Sequence, residues 1–499
     1  MKMSSIGFCL GMLFQVSLHA QIPFLRSLLD DPSVVNRDGV PWEATDYKAQ
    51  GAALGLEADT FAPPKNLQSA VAFWIKVYTE YQSHQGVIHD LNNLNVVYEK
   101  VDFEFIDKND SFTERQKAKA RENLVDERKK QILASLKKVA IGAPDSELSD
   151  FDKNIHTLWE KEGGLAALNE AADMGRLRFQ LGQSDRIREA IFLSGRYLPM
   201  MEQIFKEQGV PVQLTRLVFV ESSFNILARS KVGASGLWQI MPSAARGRLR
   251  MNRVVDLRNH PQEATELAAK MLKFNYEMLG AWPLAITGYN HGPYGVKRLV
   301  ERKKTRDLGI LIETGEGRRF GFASRNFFAS FLAVLEVEGN ADKYFSGIRR
   351  APPLEFEELR LKKAIYFSDL VKIFGGDREK AQLYNPHLQR LAYSDKVTLD
   401  SKSRVVIPTE LKGQAEKQLD AVAVRVDKVT PDRTRPKSKS FGRQVASRDQ
   451  SESRRYRVNR GDTLYRISRQ FGVSIKSILS LNELKGPKSI RAGQILHLP

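Results

Sequence analysis

The stretch from Val212 to Pro242, VQLTRLVFVESSFNILARSKVGASGLWQIMP, constrains the fold more than any other part of the chain. It sets one carboxylate, Glu221, on an otherwise apolar helical face. Leu214, Leu217 and Val218 precede Glu221 by seven, four and three residues, and Phe224 follows it by three. At helical periodicity these side chains share one direction, so Glu221 is expected to point inward. Apolar surroundings disfavour the ionised carboxyl and raise its pKa. A glutamic acid that keeps its proton near neutral pH is a proton donor of the kind that cleavage of a glycosidic bond needs. A single helical glutamate is more commonly solvated or paired, so the pattern draws its weight from what surrounds it.

After Glu221-Ser-Ser-Phe come Gly233-Ala-Ser-Gly236-Leu-Trp-Gln239-Ile-Met241-Pro242 and then Gly288-Tyr289-Asn290-His291-Gly292. Three motifs in this order resemble the family 1 lytic transglycosylases, which share a fold with goose-type lysozyme. The subgroup most resembled is the membrane-bound lytic murein transglycosylase D type, over roughly Ile187 to Ala333. The resemblance implies a mainly α chain with a lysozyme-like helical catalytic domain. It implies that Glu221 is the general acid, and then the base. Gln239 and Met241 would line the sugar groove, and Tyr289 and Asn290 would face the acid. Ser222, with Ser223, is a candidate hydrogen-bond partner. Taken alone, Tyr289 reads more readily as a core residue, and Gln239 as a cap on the neighbouring turn. Gly233 and Gly236 would permit a tight turn under a closely approaching ligand.

Glycosidases normally use two carboxylates. The next acids after Glu221 are Asp256, Glu263 and Glu266. Asp256 sits in a turn with Arg258 and is expected to pair with it. Glu263 and Glu266 fall in the first turns of a helix, where they suit the dipole. With no evident second carboxylate, the residues fit the scheme that the resemblance implies, in which the sugar's own 6-hydroxyl traps the developing cation. Two departures from the family pattern stand out. Where many relatives have Glu-Thr-Arg-Xaa-Tyr, this chain has Ala323-Ser324-Arg325-Asn326-Phe327, without the glutamate or the tyrosine hydroxyl. His291 stands where relatives often carry a small residue, and reads as a residue tolerated at a surface turn.

Length and charge set the outer bounds. At 499 residues the chain suggests about two to four domains. Its net charge of +18 implies acidic partners: nucleic acid, an anionic membrane, or an anionic wall polymer. The absence of a zinc-finger spacing or an aromatic RNA-binding signature argues against nucleic acid. Lys2 and the apolar run Ile6 to Leu18, ending at Ala20-Gln21, read as a signal peptide over 1–20. Secretion across the inner membrane to the periplasm or cell envelope is expected, with the extracellular space left open. The one cysteine, Cys9, lies in that run and fits the lipoprotein cleavage motif poorly, although lipid anchoring is common in the subgroup. A chain without it has no disulfide, thiol chemistry or cysteine-bound metal. No cofactor or metal is expected.

In order, residues 21–65 read as an extended leader, with Asp-Pro and Pro-Pro punctuation. Residues 66–186 read as a helical N-terminal region. Val71, Phe73, Trp74, Val77, Tyr78 and Tyr81 form an aromatic stripe within it, and Thr113 to Ala140 a charged amphipathic helix. His89 to Phe105 is compatible with strand or helix. Residues 187–345 form the catalytic candidate, including a helix from Pro261 to Leu279. Residues 356–411 run strand, helix, helix, strand, and resemble a divergent LysM module, with a purely structural appendage as the alternative. Residues 426–455 read as a flexible basic linker. From Lys428 to Arg455 it holds nine Lys and Arg against three acids. Residues 456–499 closely resemble a LysM domain, with Asp462 as a helix cap, and the family implies binding of N-acetylated glycans.

Three function classes remain. The first is a lytic transglycosylase acting on peptidoglycan strands. The second is a hydrolytic muramidase. The third is a non-catalytic wall-binding scaffold. The expected enzyme is monomeric, with its surplus charge available to an anionic wall or membrane surface.

Overall fold

The computed structural model describes residues 40–41, 60–172, 176–315, 320–428 and most of 454–498. The expected signal peptide, most of the leader and linker residues 429–453 lie outside the described residues. The chain divides into two units, Met1–Pro431 and Asp432–Pro499.

Helices dominate the first unit. Helix Pro261–Leu279 takes the bounds that its sequence predicts. Proline suits the first helical position because its missing N–H would be unpaired there anyway, and Gly280 accepts the left-handed φ of 74° that ends the helix. Ala264, Leu267, Ala268 and Leu272 form its buried stripe. Two further helices, Trp282–His291 and Phe322–Gly339, complete the core around the Glu221 segment. The second of these is apolar nearly all round, and Phe327, Phe328, Phe331 and Leu332 are all buried. A helix apolar on every side has to run through the interior.

The all-helical reading of residues 66–186 is corrected. Strands Gln85–Asp90, Val97–Asp102 and Leu177–Leu181 form an antiparallel sheet with Gln85–Asp90 in the middle. The central strand is buried on both faces, so it lacks the alternation that marks a half-exposed strand. Its partner Leu177–Leu181 arrives only after the long helix Glu114–Ala140, which Thr113 and Gln116 start with a reciprocal capping box. Successive residues of the central strand serve different cores. Val87 joins the main core, and Ile88 joins a satellite core with Leu136 and Trp159. The sheet thus separates the satellite helices from the main core.

Helix Gln68–Thr79 lies on the main-core side. Its stripe residues Val71, Phe73, Trp74, Val77 and Tyr78 are buried with Phe219, Leu272 and Phe331. Trp74 Nε1 donates to Asn326 Oδ1 at 3.2 Å. The start of the N-terminal region is therefore part of the domain that carries Glu221.

Residues 356–411 contain strands Phe356–Arg360 and Arg404–Pro408, paired antiparallel around helices Phe367–Ile373 and Arg378–Tyr384, with a short extra helix Arg390–Tyr393. Packing continues past 411. Helix Lys412–Ala421 buries Ala415, Arg425 meets Asp369 twice at 3.0 Å, and Tyr366 donates to Val426 O at 2.6 Å. The first residues of the expected linker thus belong to this module.

The second unit pairs strands Arg454–Arg457 and Ile495–Leu498 around helices Leu464–Phe471 and Ile475–Leu481. Leu464, Ile467, Ile478, Leu496 and Leu498 form its core. Asp462 accepts a hydrogen bond from Tyr456 Oη at 2.7 Å.

The two βααβ units share one internal device. Just after the second helix, an asparagine side chain clasps the last strand. Asn385 donates to Val406 O and accepts from Val406 N, both at 2.8 Å. Asn482 donates to His497 O and accepts from His497 N, both at 2.7 Å. Each also donates to the carbonyl four residues back, Ala381 at 3.0 Å and Ile478 at 2.8 Å.

Candidate active site around Glu221

Pro211 leads into a 3-10 turn, Val212–Arg216, and then a short α-helix, Leu217–Ser222. The sequence reading expects one helix, and the structure tightens its first part. Arg216 explains the anchoring. It is fully buried, and its guanidinium reaches Glu338 at 3.3 Å through both Nε and Nη2, and also Glu202. Glu338 is bound in turn by Arg350. These bonds tie the base of the Glu221 helix to helices Leu198–Glu207 and Phe322–Gly339.

The helix stops one residue after Glu221. Ser223 and Phe224 both take left-handed φ values, 49° and 57°, which cost non-glycine residues about 1–3 kcal/mol each. Phe224 is held there by burial and by edge-to-face contact with Phe219 at 4.7 Å. The reversal leaves the Glu221 carboxyl at the end of its helix, at the mouth of the loop that runs to Pro242.

Glu221 is 7% exposed. Among the described residues no hydrogen bond or ion pair engages its carboxyl. Burial pushes its pKa from 4.5 up to about 8. Glu221 thus points inward, as the apolar spacing predicts, and its burial favours the protonated form.

Tyr289 lies near enough that the Glu221 charge opposes its ionisation. Burial first, and Glu221 second, raise the phenol well above its ordinary value. Its hydroxyl donates to Trp238 O at 2.9 Å. Trp238 is itself locked, stacked on Phe205 at 5.4 Å and donating from Nε1 to Thr265 Oγ1 at 2.8 Å. The indole is thus fixed by one stacking contact and one hydrogen bond.

The remaining candidates separate. Gln239, at a φ of 44°, is buried and donates to Ala228 O at 3.0 Å and Gly236 O at 2.9 Å. Its amide nitrogen ties the loop together, as the capping alternative describes, and its buried Oε1 has no partner among the described residues. Met241 is half-buried and precedes helix Pro242–Ala245. Ser222 turns back to Val218 O at 3.3 Å and is spent within its own helix.

Asn290 brings in two residues that the sequence undervalues. Ser324, fully buried, donates to Asn290 Oδ1 at 2.9 Å and lies 3.3 Å from His291 Nδ1. With Asn290 Oδ1 occupied by that hydroxyl, the Asn290 amide nitrogen has no protein partner among the described residues. His291 is not merely tolerated at a surface turn. It ends helix Trp282–His291, rests edge-on against Phe320 at 5.2 Å, and is lowered in pKa by burial and by Arg298. The signal was present in the departures themselves, His291 and the Ser324 segment, but only the packing of two distant helices joins them.

The loop from Gly233 to Met241 is held by Arg258. Its Nη1 donates to Gly233 O at 2.6 Å and Ile240 O at 3.0 Å, and its other nitrogens pair with Asp256 at 2.7 and 2.9 Å. Asp256 is therefore a structural partner, as expected. Glu263 pairs with Arg404 at 2.9 Å. The close approach at Gly236 is to protein. A Cβ there would sit 2.1 Å from Arg258 O, at a φ of 80°. The described residues contain no group of metal-binding side chains and no helix long and apolar enough to cross a membrane.

With this geometry in view, the chain's modules can be classed. Residues 200–310 match the transglycosylase SLT domain, and residues 456–499 match the LysM domain. The chain carries both. It is similar to membrane-bound lytic murein transglycosylase D of Escherichia coli K12, at 26% identity over 300 residues, which cover 58% of this chain and 60% of that relative. The chain thus spans less than two thirds of that relative's length. Its C-terminal part is 54% identical over 43 residues to the uncharacterized lipoprotein YgeR of Escherichia coli K12, covering 9% of this chain and 17% of that one. A solved structure of an inactive mutant of lytic transglycosylase Slt from Pseudomonas aeruginosa matches 40% of this chain and 30% of that one, at 18% identity and a TM-score of 0.26.

Proposed function

We propose that the protein is a lytic transglycosylase of peptidoglycan that cleaves the MurNAc–GlcNAc β-1,4 bond and leaves 1,6-anhydro-MurNAc ends. One observation carries the reading: Glu221 is a buried acid without a hydrogen bond or ion pair among the described residues, while Asp256 and Glu263 are both taken up by arginines. The SLT match and the transglycosylase relative support the same reading.

The chemistry closes with one side chain. The Glu221 carboxyl gives its proton to the glycosidic oxygen, and the bond from that oxygen to the MurNAc C1 breaks, leaving its electron pair on the oxygen. The MurNAc 6-hydroxyl oxygen bonds to C1, and its proton passes to the Glu221 carboxylate, which restores the acid. A single group acting as acid and then base works best with a pKa near the operating pH. In this reading Tyr289, and the Asn290 amide held by Ser324, steady the sugar and the developing charge. Gln239 shapes the loop, and Met241 offers apolar surface beside it.

LysM 456–499 supplies glycan binding, and the cell envelope is the site of action. We read residues 356–411 as a divergent LysM-like module. The support is the strand–helix–helix–strand order and the asparagine clasp, repeated in the LysM domain.

Digestion of purified sacculi by the wild type and by Glu221→Gln, followed by mass analysis of the muropeptides, tests the proposal. Anhydro ends from the wild type and none from the variant are expected. Reducing ends in their place would make the enzyme a hydrolase, and equal products from both proteins would remove Glu221 from the chemistry. Because the first step needs the protonated acid, activity is expected to fall as pH rises through about 8.

A further inference from the structure

The module at 356–411 is fastened to the Glu221 domain by backbone pairing. Asp256 N donates to His387 O, and Gln389 N donates to Val254 O, both at 2.8 Å. Val255 is buried in the module's own core. The arginines along this seam are matched to carboxylates: Arg250 with Asp400 at 2.8 Å, Arg258 with Asp256 at 2.7 Å, and Arg404 with Glu263 and Glu358 at 2.9 and 3.0 Å.

Two arginines at the seam break that pattern, and both line a cavity of about 290 Å³. Arg229 comes from the loop that leaves the Glu221 turn, and Arg390 from the module. Neither has a carboxylate partner among the described residues. Arg229 makes one hydrogen bond, from Nη2 to Gln389 Oε1 at 2.6 Å, which fixes its head while leaving most of its N–H donors unused. Arg390 is exposed and makes none. Leu388 and Tyr393 supply apolar wall, and the Tyr393 hydroxyl is already committed to Asn385 O at 2.7 Å. The backbone pairs on either side make the space pre-formed. Its volume is at the small end for ligand sites, which suits a chain end or a single substituent.

Two cations without counter-charges, in a rigid cleft of that size, fit a planar carboxylate, which a guanidinium binds through paired N–H donors. We propose that this seam cavity binds a carboxylate of the wall polymer between Arg229 and Arg390. The proposal rests on the peptidoglycan reading, and it gives the module a role beside the catalytic loop. Two sources carry such a group: the peptide stem and, where the stem has been removed, the lactyl arm of N-acetylmuramic acid.

Titration calorimetry on the full chain tests it with four probes. These are a synthetic stem tetrapeptide, its fully amidated counterpart, free N-acetylmuramic acid and N-acetylglucosamine. One carboxylate probe is expected to bind at least about tenfold more tightly than its uncharged counterpart, and which one does so identifies the source. Arg390→Gln, a change at an exposed residue without partners, should remove that advantage, as should Arg229→Gln. Equal binding of charged and uncharged probes, or an Arg390→Gln protein that keeps the wild-type preference, overturns the proposal. Cleavage of peptide-free glycan strands by the wild type, assayed in parallel, tests the transglycosylase reading separately.

Discussion

Glu221→Gln keeps the shape of the protonated side chain and removes its ability to ionise. In the wild type, burial raises the Glu221 pKa to about 8, against 4.5 in the open chain. The folded protein therefore binds this proton more tightly than the unfolded chain does. Its stability is unaffected by Glu221 below the unfolded pKa and falls as pH rises towards the folded one. Each pH unit inside that window is worth about 1.4 kcal/mol, so the wild type should lose roughly 2 kcal/mol to the variant by about pH 6. The difference should approach roughly 5 kcal/mol above about pH 9 and vanish near pH 4. All other titrating groups are common to the two proteins and cancel. Urea unfolding followed by tryptophan fluorescence, with Trp238 bonded to Tyr289 beside the site, measures the difference across the range. A gap between wild type and variant that stays constant with pH would refute the reasoning, because it would mean that the carboxyl ionises as freely in the fold as out of it.

Other perturbations test the neighbouring parts. Gly236→Ala drives a methyl onto Arg258 O at a left-handed φ, and should cost more than about 2 kcal/mol in a thermal melt. Arg216→Met takes the Arg216 guanidinium from the buried Glu338 and should cost about 3 kcal/mol, part of which Glu338→Gln restores in the double variant. Ser324→Ala frees the Asn290 side chain and should lower kcat by about tenfold with little change in KM or melting temperature, the loss of roughly one hydrogen bond's worth of positioning. At the seam, His260 and His387 meet edge-to-face at 4.8 Å, and burial lowers both pKa values, that of His387 to about 4. A depressed histidine weakens the fold as pH falls from the ordinary 6.5 towards that value, so hydrogen exchange at the Gln389 and Asp256 amides should quicken across this interval.

The features legible in the sequence are those written within a few turns of chain. The inward Glu221 follows from Leu214, Leu217, Val218 and Phe224. Pro261 and Gly280 mark the ends of their helix, and the βααβ order of 356–411 shows in its alternating segments. The Asp256–Arg258 pair, two residues apart, is local as well. The less legible features are illegible for definite reasons. The strand Gln85–Asp90 is buried on both faces and carries no period-two signal, and its neighbour Leu177–Leu181 is separated from it by the whole satellite helical region. His291 and Ser324 look like isolated departures until helices Trp282–His291 and Phe322–Gly339 meet.

The amino-acid order determined that a carboxyl would be carried into an apolar core, and hence that it would hold its proton. Hydrophobic periodicity acts over neighbouring turns and needs no knowledge of the rest of the chain. Tertiary structure decided how that carboxyl is framed. It set the reversal at Ser223 and Phe224, the Tyr289 hydroxyl against Trp238 O, the Ser324 clamp on Asn290, and the Arg216–Glu338 tie across 122 positions of sequence. It also decided that the module at 356–411 is docked beside the loop that follows Glu221, leaving Arg229 and Arg390 without counter-charges among the described residues. Such contacts depend on which distant segments arrive together, and their energies are set by geometry and desolvation, which no local pattern encodes.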